Sequence, residues 1–441
     1  MEKKEFRLRD WTRESGAGQV AERSESGEGF SELCKTVSSR FQSEWEAAEN
    51  RENLLELQKK AIMGEAAEKE YFLARIRSFF KENGITYVDY PDWYKTPEEA
   101  VYHELWGLAG MAEWFEDEWS ESSSAKIIGD RIYFMQGGSM VKRPQTISKE
   151  RRSQLIRALL LNSPKEKTGR DYYEVYMPGG TRVTAFQNGI VKNGEDIIIF
   201  RRYVVQCYTF EEQAMRGSID LPMVDRFKEM VNRGVSVAFV GEIRSGKTTF
   251  LATWQSYEDP ELEGVLVETD PEIPLHEIMP DAPIVQIVAD GERMENIVKS
   301  LMRSDAQYFC FGEARDGAAL NTALRIAERG GKRMKMTFHI TDPFDFPFDV
   351  ASEIAFAYGG SVAHHALRAA SAFEYILHFG SGKNRSEKKL LGIYHMTADK
   401  EAGKIKISCE CLYDEETGKW IYSGAGLKTR EYSVYGLENE R

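Results

Sequence analysis

The octapeptide Gly241-Glu242-Ile243-Arg244-Ser245-Gly246-Lys247-Thr248 fits the pattern G-x-x-x-x-G-K-[ST] without a gap, and Thr249 follows it. Residues of these types at this spacing do one kind of chemistry well: they hold phosphate. Glycines let the backbone curl so that successive N–H groups point at phosphate oxygens, and a helix starting at the lysine adds its positive end. The lysine reaches the β- and γ-phosphates, and the next hydroxyl ligates Mg²⁺. The expected cradle for ATP is therefore Gly241, Glu242, Ile243, Arg244, Ser245, Gly246, Lys247, Thr248 and Thr249, with Thr248 on the metal. Context separates this reading from a chance match. Val237-Ala-Phe-Val-Gly241 reads as a buried strand, and Lys247 onward reads as a helix.

Phosphoryl transfer asks for more than a cradle: something must orient water, hold Mg²⁺ and neutralise charge on the transferring group. The apolar run Tyr308-Phe-Cys-Phe-Gly-Glu313 ends in a carboxylate. In an open α/β sheet that position lies at the ligand-binding edge, so Glu313 is a candidate to position the attacking water. The competing reading is an ordinary strand-end acid. Glu268 and Glu272, with Asp270 between them in VETDPEIPL, form a second acidic group, which a solvated loop would equally explain. His339 ends the run Met336-Thr-Phe-His339, and by spacing alone an ordinary hydrogen-bonded histidine is the commoner outcome.

These groups need elements to position them, and the chain is long enough to supply them. Its 441 residues have room for two or three domains. A hydrophobic content of 42% with 12% aromatics supports real cores. With 58 Lys and Arg against 71 Asp and Glu, the formal charge is −13, which argues against a chain that coats nucleic acid. The five cysteines, Cys34, Cys207, Cys310, Cys409 and Cys411, are scattered and odd in number, which fits a reducing compartment. Cys409 and Cys411 alternate in a strand-like run and are expected to share one sheet face. No apolar run is long enough to span a bilayer and no signal peptide is evident, so a cytoplasmic protein is expected.

The pattern along the chain divides it in four. Residues 1–85 read as a polar lead-in to about residue 35, then a helical segment from about Phe41 to Glu82 that serves packing or docking. Residues 86–207 mix helices with glycine-bounded strands, as a smaller α/β domain. Residues 208–232 form a connector and a helix. Residues 233–441 alternate the strands VSVAFVG, GVLVET, APIVQIVAD, AQYFCFGEA and RMKMTFHI with helices near Lys247, Arg293 and Ala318 and within Asp349–Tyr358. They then become strand-rich after Ala372. That alternation predicts a mostly parallel sheet covered on both faces.

The order of the boxes resembles one family. A phosphate loop, an acidic box after the next strand, a strand ending in Gly-Glu and a T-x-H at a further strand end are similar to the secretion ATPases of type II and type IV systems. The branch of tight-adherence pili and conjugative transfer is the nearest in pattern. HELWGLAGMAEWF, IIGDRIYFM, MPGGTRVTA, IIIFRRY, TFEEQAMRGSIDLPMVDRFKEMV and SLMRSDAQYFCFGEARDGAAL extend the resemblance in unbroken order over about residues 100 to 420. It implies a RecA-like P-loop domain preceded by a smaller α/β domain and an N-terminal helical segment. It implies an ATPase working as a homo-hexamer with ATP and Mg²⁺, peripheral to the inner face of the cell membrane through an integral platform protein. Lys247 and Thr248 would serve phosphate and metal, Glu268 and Glu272 the acidic box, Glu313 catalysis, and His339 sensing of the γ-phosphate. Arg182, Arg201 and Arg202 would cover the phosphates from the smaller domain. The chain departs from the family pattern at Ile243 and Arg244, where relatives carry Thr and Gly, and at Thr269, where they carry Asp. It departs again at Glu328 to Met334 and at Ile340-Thr-Asp342. Two alternatives accompany this expectation: a nucleotide-binding assembly scaffold with little turnover, suggested by the altered loop and box, and a DNA translocase. The acidic composition weighs against direct nucleic-acid binding.

Overall fold

The computed structural model describes residues 22–47, 56–57, 60–62, 65–161, 171–177, 180–192, 194–202, 207–269, 271–289, 291–301, 303, 305–314, 316–383, 387–424 and 426–434. The expected lead-in up to residue 21, Leu54 and Leu55 of the helical segment, Tyr203 and Asp270 lie outside these residues. The chain forms two compact units, residues 1–204 and 205–441.

The first unit is built on six strands: β1 (Ser124–Ile128), β2 (Arg131–Gln136), β3 (Ser139–Thr146), β4 (Tyr172–Tyr176), β5 (Arg182–Phe186) and β6 (Ile197–Arg201). Their order is β3-β2-β1-β6-β5-β4, with every neighbouring pair antiparallel. Alternate residues face the core: Ala125 and Ile127, Ile132 and Phe134, Val183 and Ala185, Ile198 and Phe200 are buried. One face is thus buried in the core, and the other is mixed, with Lys126, Arg131 and Thr184 beside Ile128, Ile197 and Ile199.

The helical segment belongs to this unit's core. A helix runs over Glu22–Ala47, beginning inside the stretch expected to be a lead-in, and a second runs over Ala66–Glu82. Phe30, Cys34, Val37 and Phe41 are buried along one stripe, spaced four, three and four. Phe41 and Phe72 both pack on Trp106, with ring centroids 4.7 and 4.9 Å away. Trp106 follows the Pro97–Leu105 helix, which opens with Thr96 Oγ1 accepting from Glu99 N–H at 3.2 Å and a proline in the first turn.

The second unit carries ten strands: β7 (Val237–Gly241), β8 (Gly264–Glu268), β9 (Ile284–Val288), β10 (Tyr308–Gly312), β11 (Met334–His339), β12 (Tyr375–Ser381), β13 (Lys388–Asp399), β14 (Lys404–Asp414), β15 (Lys419–Ile421) and β16 (Thr429–Ser433). They are ordered β15-β14-β13-β12-β7-β11-β10-β8-β9, with β16 on β14. From β12 to β9 all pairs are parallel. Counting the loop strand β7 as the first, the order across β12-β7-β11-β10-β8-β9 is six-one-five-four-two-three. The phosphate-loop strand and the Glu313 strand are thus separated by one inserted strand, the RecA-like P-loop arrangement. β7, β8 and β10 are buried along their whole length, because helices and loops cover both faces of a parallel sheet.

Two details differ from expectation. A helix over Val362–Ala372 follows the Phe346–Tyr358 helix where no separate element was read. Its buried face is largely alanine, which weakens the hydrophobic period. Cys409 and Cys411 do not share a sheet face. Cys409 belongs to the core that holds Ala238 and Val240, and Cys411 to the core that holds Val237 and Phe239, on the other side of β7. The cause is a β-bulge: Ile393 faces Cys411 and the next residue, Tyr394, faces Cys409, so Glu410 is the extra residue and the alternation reverses there.

Candidate functional site

Register brings the separated boxes together. His339 is the ladder partner of Gly241, and Glu268 that of Gly312. Four parallel strands therefore end toward the same edge of the sheet, β7 and β11 running two residues beyond β8 and β10, and the residues that follow them share that edge.

The loop on β7 has the backbone its sequence promised. Gly241 has φ +143°, and a Cβ there would lie 2.0 Å from the carbonyl oxygen of Phe379, so only glycine fits. Gly246, at φ +93°, turns directly into the Lys247–Gln255 helix, with no side chain capping it. Its first-turn N–H groups are the positive end that favours phosphate. Arg244, one of the departures from the family pattern, holds φ +62°, which costs a residue with a Cβ about 1 kcal/mol. Glu242, Ile243 and Arg244 are exposed, whereas Ser245 and Lys247 are buried and Thr248 and Thr249 half-buried.

Lys247, His339 and Glu313 form a chain. Lys247 Nζ donates to the carbonyls of Gly241 at 3.0 Å and Glu242 at 2.7 Å, and lies 3.2 Å from His339 Nδ1. An ammonium can only donate, so Nδ1 accepts and Nε2 carries the proton. Nε2 then donates to Glu313 Oε1 at 3.0 Å. A change at the lysine can reach the carboxylate through one imidazole.

The two glutamates of the acidic box have different jobs. Glu268 is buried, and its Oε1 accepts from the backbone N–H groups of Glu272 and Ile273, both at 3.0 Å. It braces the turn. Glu272 is the member that meets the loop: Thr248 Oγ1 donates to its Oε2 at 3.3 Å. Burial, then the charge of Glu313 and the hydrogen bond between the two carboxyls, then Glu268, push Glu272 up to about 8. Carboxyls this close cannot both ionise cheaply. Mg²⁺ asks for a few hard oxygens and takes the rest from water and phosphate. The Thr248 hydroxyl and the Glu272 carboxyl fit that demand, and no cluster of three or more acidic, His or Cys ligands occurs among the described residues.

The arginines expected to cover the phosphates lie in the first unit and divide by strand alternation. Arg182 opens β5 and Arg201 closes β6 directly opposite it, both on the face away from the core. Arg182 is buried and pairs with Glu174 at 3.3 Å. Arg202 points the other way. Its guanidinium donates to the carbonyls of Ser122 at 3.0 Å, Trp119 at 2.8 Å and Trp114, and stacks 3.9 Å over the Trp114 ring. Sequence reading placed Thr337 in the T-x-H box without giving it a role, and did not single out Lys388. Thr337 Oγ1 accepts from Glu313 N–H at 2.7 Å, and its hydroxyl among apolar neighbours was the available signal. The Lys388 side chain packs against Gly246 at the start of β13, a contact without local signature.

No family model and no curated protein matches the chain. Solved structures do resemble it. One is the VirB11 ATPase of the Brucella suis type IV secretion system in complex with sulphate, at 14% identity and TM-score 0.35, covering 65% of this chain and 92% of that one. Another is the Legionella pneumophila ATPase DotB, at 18% identity and TM-score 0.48, covering 66% and 82%. A third is the pilus retraction motor PilT with bound ADP, at 16% identity and TM-score 0.47, covering 64% and 81%. The fold assignment rests on this chain's own strand order and loop. No helix among the described residues is long and apolar enough to cross a membrane.

Proposed function

We propose that the chain is an ATP-hydrolysing motor of a type II/IV-like secretion, pilus-assembly or conjugation apparatus, acting in the cytoplasm as a homo-hexameric ring against a membrane platform. The observation that carries the ATPase part is the single hydrogen-bonded set Lys247–His339–Glu313, with Glu272 and Thr248 beside it. The apparatus, ring and platform rest on the order of the sequence boxes.

In this reading Lys247 leaves the carbonyls of Gly241 and Glu242 for the β- and γ-phosphates as the loop N–H groups take the triphosphate. Mg²⁺, when bound, neutralises charge on the phosphates and orients them. Thr248 and Glu272 would hold it. Glu313 orients the attacking water and accepts its proton, and Glu268 keeps Glu272 in place. His339, donating to Glu313 and facing Lys247, reports the γ-phosphate to that carboxylate. Arg201 and Arg182 supply positive charge from the first unit when it closes. An arginine fork brought by another unit makes the rate depend on movement. Hydrolysis is then coupled to motion between the units.

Phosphate release from purified wild type, Lys247→Ala and Glu313→Gln decides the matter. Wild type is expected to turn over at least about a hundredfold faster than either variant, with Glu313→Gln still binding nucleotide. Equal rates in all three, with nucleotide bound, would instead favour the scaffold reading, for which the positive φ of Arg244 and the Thr269 departure are the motivating observations.

A further inference from the structure

We infer that Thr337 is the positioning residue for Glu313: its hydroxyl holds the backbone of that carboxylate in a left-handed turn and so aims the side chain. The inference rests on the ATPase reading above and adds a residue to it. The β10–β11 ladder pairs Phe309 with Met334, Cys310 with Lys335 and Phe311 with Met336, and stops there. Past that point the Glu313 N–H donates to the Thr337 hydroxyl at 2.7 Å, and the Ala314 N–H donates to the Thr337 carbonyl at 3.2 Å. Glu313 has φ +49°. A residue with a Cβ persists in that conformation only where its surroundings over-determine it.

Thr337 is well placed to do so. It is 2% exposed, so its hydroxyl has little access to water and its bond to the Glu313 amide is not readily exchanged for a solvent one. Side chains two apart on a strand share a face. Thr337 and His339 therefore act from one side of β11, the first on the Glu313 backbone and the second on its carboxylate. A single strand fixes both ends of the residue. Losing the hydroxyl frees the peptide to relax toward negative φ, and the carboxylate then swings away from His339 and Glu272.

Thr337→Val removes the acceptor at nearly constant volume, and Thr337→Ser restores it. Three readouts apply: kcat for ATP, affinity for an ATP analogue, and amide exchange at Glu313 in the nucleotide-free protein. Thr337→Val should lower kcat about tenfold with affinity within about twofold. It should also speed exchange at Glu313 while Cys310 and Phe311 in β10 stay protected, and Thr337→Ser should sit near wild type in all three. A valine variant with wild-type kcat, or unchanged exchange at Glu313, overturns the inference, as does a serine variant as impaired as valine. Should wild type hydrolyse ATP no faster than Lys247→Ala, the ATPase reading falls by itself. The exchange at Glu313 then still decides whether Thr337 holds it.

Discussion

The two sheets of this chain place charged groups by opposite rules. In the second unit, parallel strands bring their C-terminal ends to one edge. Gly241, Glu268, Glu313 and His339, scattered along the sequence, come together there with complementary donors and acceptors. In the first unit, antiparallel strands lay the start of β5 beside the end of β6, so Arg182, buried and paired with Glu174, and Arg201 lie directly opposite each other with like charge. Like charges directly opposite are a cost to the sheet. One sheet gathers complementary groups at a shared edge; the other sets two like charges opposite each other and offsets one of them with Glu174.

Charge-removing substitutions at the two sites should therefore diverge. Lys247→Ala removes the internal partner and should abolish measurable hydrolysis. Arg201→Ala should cut hydrolysis about a hundredfold yet leave the melting temperature unchanged or slightly raised, because it removes a repulsion. A full rate in Arg201→Ala would detach the first unit from the chemistry.

Titration should separate the units next. Glu272, raised to about 8, holds its proton in the folded chain where the unfolded chain has lost it. Stability then falls as pH rises from the ordinary carboxyl value of 4.5 to about 8. His103 in the first unit does the reverse. Burial first, then the charges of Lys69 and Arg151, lower it from 6.5 to about 3, so stability falls as pH drops through that window. Each fully unmatched proton is worth about 1.4 kcal/mol per pH unit. Urea midpoints measured across pH without metal should lose the first slope in Glu272→Gln and the second in His103→Gln. Unchanged slopes would place the perturbed groups elsewhere.

Arg202→Ala sharpens the contrast within the first unit. Three carbonyls lose their guanidinium donor, and stability should drop by about 2 kcal/mol in denaturant titrations, unlike Arg201→Ala. The smallest effect belongs to Arg244→Gly. Relief of the positive φ should add about 0.5 kcal/mol in the same assay, and no gain would mean that contacts of the arginine offset its strain.

Much of the site was legible because its signals are local. Gly241 to Thr248 read as a phosphate loop, and the loop takes the two glycine conformations such a loop requires. Five of the six strands of the parallel core, β7 to β11, stood out as apolar segments of the right length alternating with helices. The division of labour between Glu268 and Glu272 was not legible, since both are acids in one short turn and only tertiary contacts distinguish the fully buried brace from its half-buried partner. The bulge at Glu410, which sends Cys409 and Cys411 to opposite faces, leaves no mark in an alternating run. Arg201 and Arg202 were indistinguishable as neighbours in IIIFRRY until strand alternation turned one outward and the other onto Trp114.

By itself the sequence determined the glycine-bearing curve of the candidate phosphate loop, the identity of most strands and the chemical types gathered at their ends, because backbone curvature and hydrophobic period depend on residues close in the chain. Only the tertiary structure decided that His339 stands beside Gly241, that Glu272 meets both Thr248 and Glu313, and that Thr337 holds the Glu313 amide. Those contacts follow from strand order and register. Both are fixed by packing between distant segments, and a one-residue slip in either would send the same side chains to the wrong face.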